Sequence, residues 1–265
     1  MILSPDQVSA LRTLVRIWST ERFVLIGASA LACFTDMRWR ETHDLNLALA
    51  VTLDRYPAGL EAEPGWSRHP AIEQRWMAPG GVYFDVIPVG GGHTDTPVLR
   101  WPGSGFQMNL AGMHLALELG VTIEAAPGLA IRAAPLEVLA LLKMVGYLDR
   151  PHDRERDLSD IAYILDDYVA DADERRYGDE ILDLALDYDE VSPFLLGKRL
   201  AAIANENEKV LVLRFTGLVK QAGEPTSTQA RMLLGAPPTW RRDPERLLLR
   251  IAAFERGFGG DPSSS

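Results

Sequence analysis

The feature that most restricts how this chain can fold is a change of sequence character near Ala134. Before it, short β-type apolar runs alternate with Gly and Pro punctuation. From Pro135 onward, apolar residues recur at helical spacing. Strand-forming and helix-forming segments segregated in this way favour a sheet followed by a helical layer over a sandwich or a pure bundle. The expected class is therefore α/β or α+β. It has a mixed-sheet core over residues 1–134, a C-terminal helical domain over 135–258 and a Gly/Pro/Ser tail over 259–265 of the kind that frays.

In the first part, residues 7–18 set Val8, Leu11, Val15 and Trp18 on one helical face. Phe23–Ile26 is a short apolar run ended by Gly27, and residues 28–34 read as a helix leaving that turn. Residues 44–52 alternate: Leu45, Leu47, Leu49 and Val51 point one way, Asp44, Asn46, Ala48 and Ala50 the other. Residues 72–77 and 82–88, joined by Ala78-Pro79-Gly80-Gly81, read as a hairpin, and a further strand is expected over 129–132. In the second part, helices are expected over 135–148, around 158–165, and over 178–186, 193–204, 208–220, 226–234 and 244–254.

Composition narrows the function. With 47% hydrophobic and 24% charged residues the chain is globular, and its apolar runs fall short of the roughly 20 residues that span a bilayer. The start at Met1-Ile2-Leu3-Ser4 lacks the basic and apolar regions of a secretory signal, so a cytoplasmic protein without a membrane partner is expected. One cysteine, Cys33, excludes an intrachain disulfide and a multi-cysteine zinc site, and the five histidines show no paired ligand spacing. A net charge of -10 opposes unspecific clamping of duplex nucleic acid, though a local basic patch can still hold a nucleotide or an RNA end.

The chemistry-bearing stretch runs through Gly27-Ala28-Ser29-Ala30, then Arg40-Glu41-Thr42-His43-Asp44-Leu45-Asn46, then Phe84-Asp85-Val86-Ile87-Pro88. Phosphoryl transfer with two divalent ions needs about three oxygen ligands on a rigid surface. Residues at i and i+2 of a strand project from one face, so Asp44 and Asn46 qualify, with Asp85 supplied by another strand. Small residues from Gly27 to Ala30 open a helix N-terminus that suits a triphosphate. In the second part, Lys143 is either a phosphate ligand or a lysine snorkelling at the core edge. Asp157 and Asp160 are either functional carboxylates or first-turn acids.

These residues resemble the nucleotidyltransferase (polymerase-β-like) superfamily, in particular the AbiEii-type toxins of bacterial type IV toxin–antitoxin systems. The resemblance rests on Gly27 and Ser29, on Arg40, Thr42, Asp44 and Asn46, on Asp85, and on Lys143, Arg150 and Arg156-Asp157-Leu158-Ser159-Asp160. It implies a nucleotidyltransferase-fold mixed sheet with the helical domain closing over the nucleotide, and Mg²⁺ (or Mn²⁺) as cofactor. An NTP would be the donor, a tRNA or a protein the acceptor, and an antitoxin the partner. By the same resemblance Asp44, Asn46 and Asp85 would hold metal, and Gly27, Ser29, Arg40 and Thr42 would seat the nucleotide. Lys143 would neutralise phosphate, with Asp157 or Asp160 orienting it or deprotonating the acceptor. The departure is Asn46, where the pattern has a carboxylate; an uncharged amide bridges two cations poorly and weakens two-ion catalysis. The alternatives are a nucleotide-binding module that has lost catalysis and a nucleotidyltransferase of small cationic antibiotics.

Overall fold

The computed structural model describes residues 3–37, 44–56, 59–90 and 98–259, and the chain divides into two compact units, Met1–Leu139 and Ala140–Ser265. Arg40, Thr42 and residues 260–265 lie outside the described residues.

The first unit opens with α1 (Pro5–Ile17). Ser4 accepts from the Gln7 N–H while the Gln7 side chain accepts from the Ser4 N–H, and Pro5 occupies the first turn, where its missing donor costs nothing. Then come β1 (Phe23–Ile26), α2 (Gly27–Leu31), β2 (Leu45–Leu49), β3 (Ser67–Arg68), β4 (Arg75–Ala78) and β5 (Val82–Pro88). After these follow β6 (Val98–Arg100), β7 (Gln107–Asn109), α3 (Met113–Leu119), β8 (Val121–Ala126) and β9 (Leu129–Ala133). Seven strands form one mixed sheet in the order β3-β4-β5-β2-β1-β9-β8, and β6 pairs with β7 apart from it. The β2–β5 and β1–β9 pairs are parallel and the remaining pairs antiparallel. Leu45, Leu47, Trp76, Phe84 and Val86 are all but fully buried, so the alternating strands turn their apolar positions inward as their period requires. The two expected helices, the strands and the hairpin of this part are present, whereas β3, β6, β7, α3 and β8 went unforeseen. Most of these are strands of two or three residues, too short to establish a period.

Helix α4 (Leu136–Asp149) runs across the division. The second unit continues with α5 (Glu155–Asp167), α6 (Asp179–Asp183), α7 (Tyr188–Ile203), α8 (Glu206–Lys220), α9 (Thr228–Gly235) and α10 (Pro244–Gly259). Helix α7 begins at Tyr188, before the expected start at Pro193. Asp187 and Glu190 close a capping box there, and its two satisfied donors outweigh the hydrogen bond that Pro193 cannot make. Helices α7 and α10 cross at backbone contact: a Cβ on Gly197 would stand 2.1 Å from the Phe254 carbonyl oxygen, and one on Gly257 2.1 Å from that of Phe194. No helix among the described residues is long and apolar enough to cross a membrane.

Candidate active site

Strand register assembles the first cluster. Parallel β2 and β5 set Asn46 beside Asp85, antiparallel β4 and β5 set Asp85 beside Arg75, and β1 sets Ile26 beside Asn46. One row across four strands therefore reads Arg75, Asp85, Asn46, Ile26, and residues in register share a face of the sheet. Asp44, two positions before Asn46, reaches this row as well, since its carboxylate meets Arg75.

Arg75 is the residue that sequence reasoning missed. Its Nε donates to Asp85 Oδ1 at 2.7 Å and its Nη2 to Asp85 Oδ2 at 2.8 Å, a two-pronged pairing; Nη2 also lies 3.4 Å from Asp44 Oδ2. The hydrogen bonds to Asp85 hold the guanidinium above its ordinary pKa, and its outer side lies over the Tyr83 ring, 5.7 Å from the centroid. A signal for it was available once the turn is taken as Pro79–Gly81: Ala78 then pairs with Val82, and counting outward brings position 75 opposite position 85.

Local geometry fixes Asp44 and Asn46 from the other side. Gly27 begins α2 at φ +68°, and a Cβ there would come within 3.1 Å of Asn46 Nδ2. Only glycine tolerates both that conformation and that approach. The Ser29 hydroxyl, buried, donates to the Asp44 backbone carbonyl at 2.5 Å. The hydroxyl expected to contact a triphosphate thus ties the start of α2 to the residue that leads into β2. Gly27→Ala should lower stability by about 1–3 kcal/mol through the forced positive φ and the push on Asn46; an unchanged thermal midpoint would sink this account. Cys33 donates to the Ser29 carbonyl, and burial pushes its thiol up to about 11. It stays protonated near neutrality and is no nucleophile.

The second cluster belongs to the second unit. Lys143 on α4 donates to Asp157 Oδ1 at 3.0 Å and to Asp160 Oδ2 at 2.6 Å, both on α5. All three side chains are buried, with Lys143 5%, Asp157 9% and Asp160 0% exposed. Neither reading of Lys143 anticipated this enclosure: its ammonium faces two carboxylates three positions apart on one helix. Arg154 approaches Asp157 at 3.7 Å, while burial and the neighbouring Arg154 push the Arg150 guanidinium below its ordinary pKa.

Among the described residues no three His, Cys, Asp or Glu side chains converge as a metal cage. The oxygen donors of the first cluster are the carboxylates of Asp44 and Asp85 and the amide of Asn46. The Asp44 side chain is 42% exposed and that of Asp85 16%. This all-oxygen, partly solvated set suits one hard divalent ion that keeps several waters and takes substrate phosphates as its other ligands. Two of its three oxygen donors are charged and the third, Asn46, is neutral.

A family model described as nucleotidyl transferase AbiEii toxin, type IV TA system, matches residues 9–243. No curated protein matches the chain.

Proposed function

The chain belongs to the AbiEii nucleotidyl transferase toxin family of type IV toxin–antitoxin systems, and we propose that it is itself a metal-dependent nucleotidyltransferase acting on a tRNA or a protein. The observation that carries this reading is the single row in which Asp85 and Asn46 stand side by side, with Asp44 reaching the same face. In the proposed reaction an acceptor oxygen bonds to the α-phosphorus of an NTP, the bond to the bridging oxygen breaks, and pyrophosphate leaves. The acceptor proton passes to a carboxylate, for which Asp44 is the most open candidate of this row. Mg²⁺ or Mn²⁺, when bound, would neutralise triphosphate charge and align the phosphate for in-line attack. Asp44 and Asp85 would hold it, with Asn46 as a neutral ligand, and the backbone at Gly27 would lie closest to the phosphates. In the second unit Lys143 engages both Asp157 and Asp160, so these two carboxylates orient that lysine and are not the group that takes the proton. A cognate antitoxin is the expected protein partner.

The test is transfer of label from α-³²P-labelled NTPs onto total tRNA, onto soluble protein and onto aminoglycosides. Label on tRNA or protein is the expected result. Label on aminoglycosides alone would move the assignment to small-molecule modification, which the net charge of -10 would suit. Nucleotide binding without transfer to any acceptor would replace the enzyme by a binding module.

A further inference from the structure

The arginine between the two carboxylates changes what the site can hold. Both Asp85 oxygens receive hydrogen bonds from Arg75, and the same guanidinium extends to Asp44. A fixed positive charge thus stands where cations bridging these carboxylates would sit. It is braced rather than loose, because Tyr83 lies under it and β4–β5 pairing sets it opposite Asp85. Asn46, the remaining oxygen donor of the row, carries no charge to attract another cation.

We propose that Arg75 takes the place of one of the two cations of nucleotidyl transfer, so that this site seats a single divalent ion. The inference rests on the reading of the row as a nucleotide-transfer site. Charge balance supports it. Three carboxylates with two divalent ions carry a net charge of plus one; two carboxylates with one guanidinium and one divalent ion carry the same. The neutral Asn46 and the cationic Arg75 are therefore compensating features: each would be a defect alone, and together they preserve the field that a triphosphate meets. Arg75 acts through Asp44 and Asp85 and is a positioning residue in this scheme. Its flat, two-pronged fork also fixes the Asp85 carboxylate in one orientation, which a hydrated ion alone does less strictly.

The decisive measurement is Mn²⁺ binding followed by electron paramagnetic resonance. With the metal alone, Arg75→Gln should bind Mn²⁺ about tenfold more tightly than the parent, the effect of removing a unit charge roughly 5 Å from a divalent ion at the dielectric of water. Arg75→Lys, which keeps the charge, should stay near the parent. In equimolar complexes with each of the four α,β-methylene ribonucleoside triphosphates, the parent should hold one Mn²⁺ per chain, and Arg75→Gln combined with Asn46→Asp two. Two ions on the parent, or an affinity that Arg75→Gln leaves unchanged, overturn the proposal. If Arg75→Gln does not fold, the parent's ion count and the Arg75→Lys affinity still decide. Failure of the underlying reading looks different: Asp44→Ala and Asp85→Ala would then bind metal–nucleotide as the parent does.

Discussion

Asp85→Ala leaves a folded protein that no longer binds a metal–nucleotide complex and transfers nucleotide at least about 10²–10³-fold more slowly than the parent. Two losses coincide at this position. One is a carboxylate of the row that would hold the metal; the other is the anchor that receives both prongs of Arg75. Without Asp85 the guanidinium is free to pair fully with Asp44, which then holds a counter-cation of its own and has less charge to offer a metal. The fold is expected to survive because the apolar burial of β5 does not rest on Asp85. Its strand neighbours Phe84 and Val86 carry the burial, and the side chain itself is partly solvated. Calorimetry with Mg²⁺ and NTP, with thermal unfolding as control, checks the result. Parental affinity in Asp85→Ala would remove this residue from the site.

The second large effect is one of stability. Lys143→Ala strips the ammonium that donates to both buried carboxylates, Asp157 and Asp160, and leaves two like charges close together in a poor dielectric. Breaking a buried charge cluster in this way costs about 3–5 kcal/mol, a large part of the stability of a unit this size. Lys143→Met combined with Asp157→Asn and Asp160→Asn removes the charges together and should recover most of the loss. The compensated variant separates two roles. If Lys143 serves phosphate as well as packing, nucleotide binding stays weak after stability returns; if it only balances the two acids, binding returns with the fold. An unchanged denaturation midpoint in Lys143→Ala would contradict the buried geometry itself.

What could be read from the residues follows a physical division. The alternation of leucines with Asp44 and Asn46 placed both polar residues on one face, because a strand's period of two is a local property. The hairpin that carries Asp85 was equally legible from Pro79-Gly80-Gly81 between two apolar runs. Arg75 was not recognised, since an arginine on a short strand reads as ordinary surface until the register across the turn is counted. The bond from Ser29 to the Asp44 carbonyl lay out of reach for another reason: it joins segments brought together only by the pairing of β1 with β2. Lys143, Asp157 and Asp160, named together in the sequence, do meet in the structure. Their enclosure depends on how α4 meets α5, which helical periodicity does not specify. The start of α7 yielded to a capping box that the proline at 193 had obscured.

The hairpin has a bearing on the order in which the molecule comes together. Arg75 and Asp85 are ten positions apart and meet across a single turn, whereas Asp85 reaches Asn46 only when β5 docks beside β2, much earlier in the chain. Hairpins close in about 1–10 μs, and contacts between distant segments wait on the entropy of a longer loop. The guanidinium is therefore expected to meet its carboxylate before the rest of the row arrives, which higher φ-values at Arg75 and Asp85 than at Asn46 would bear out. In that order β5 would bring Asp85 to β2 with its charge already paired, which removes the like-charge repulsion it would otherwise meet from Asp44.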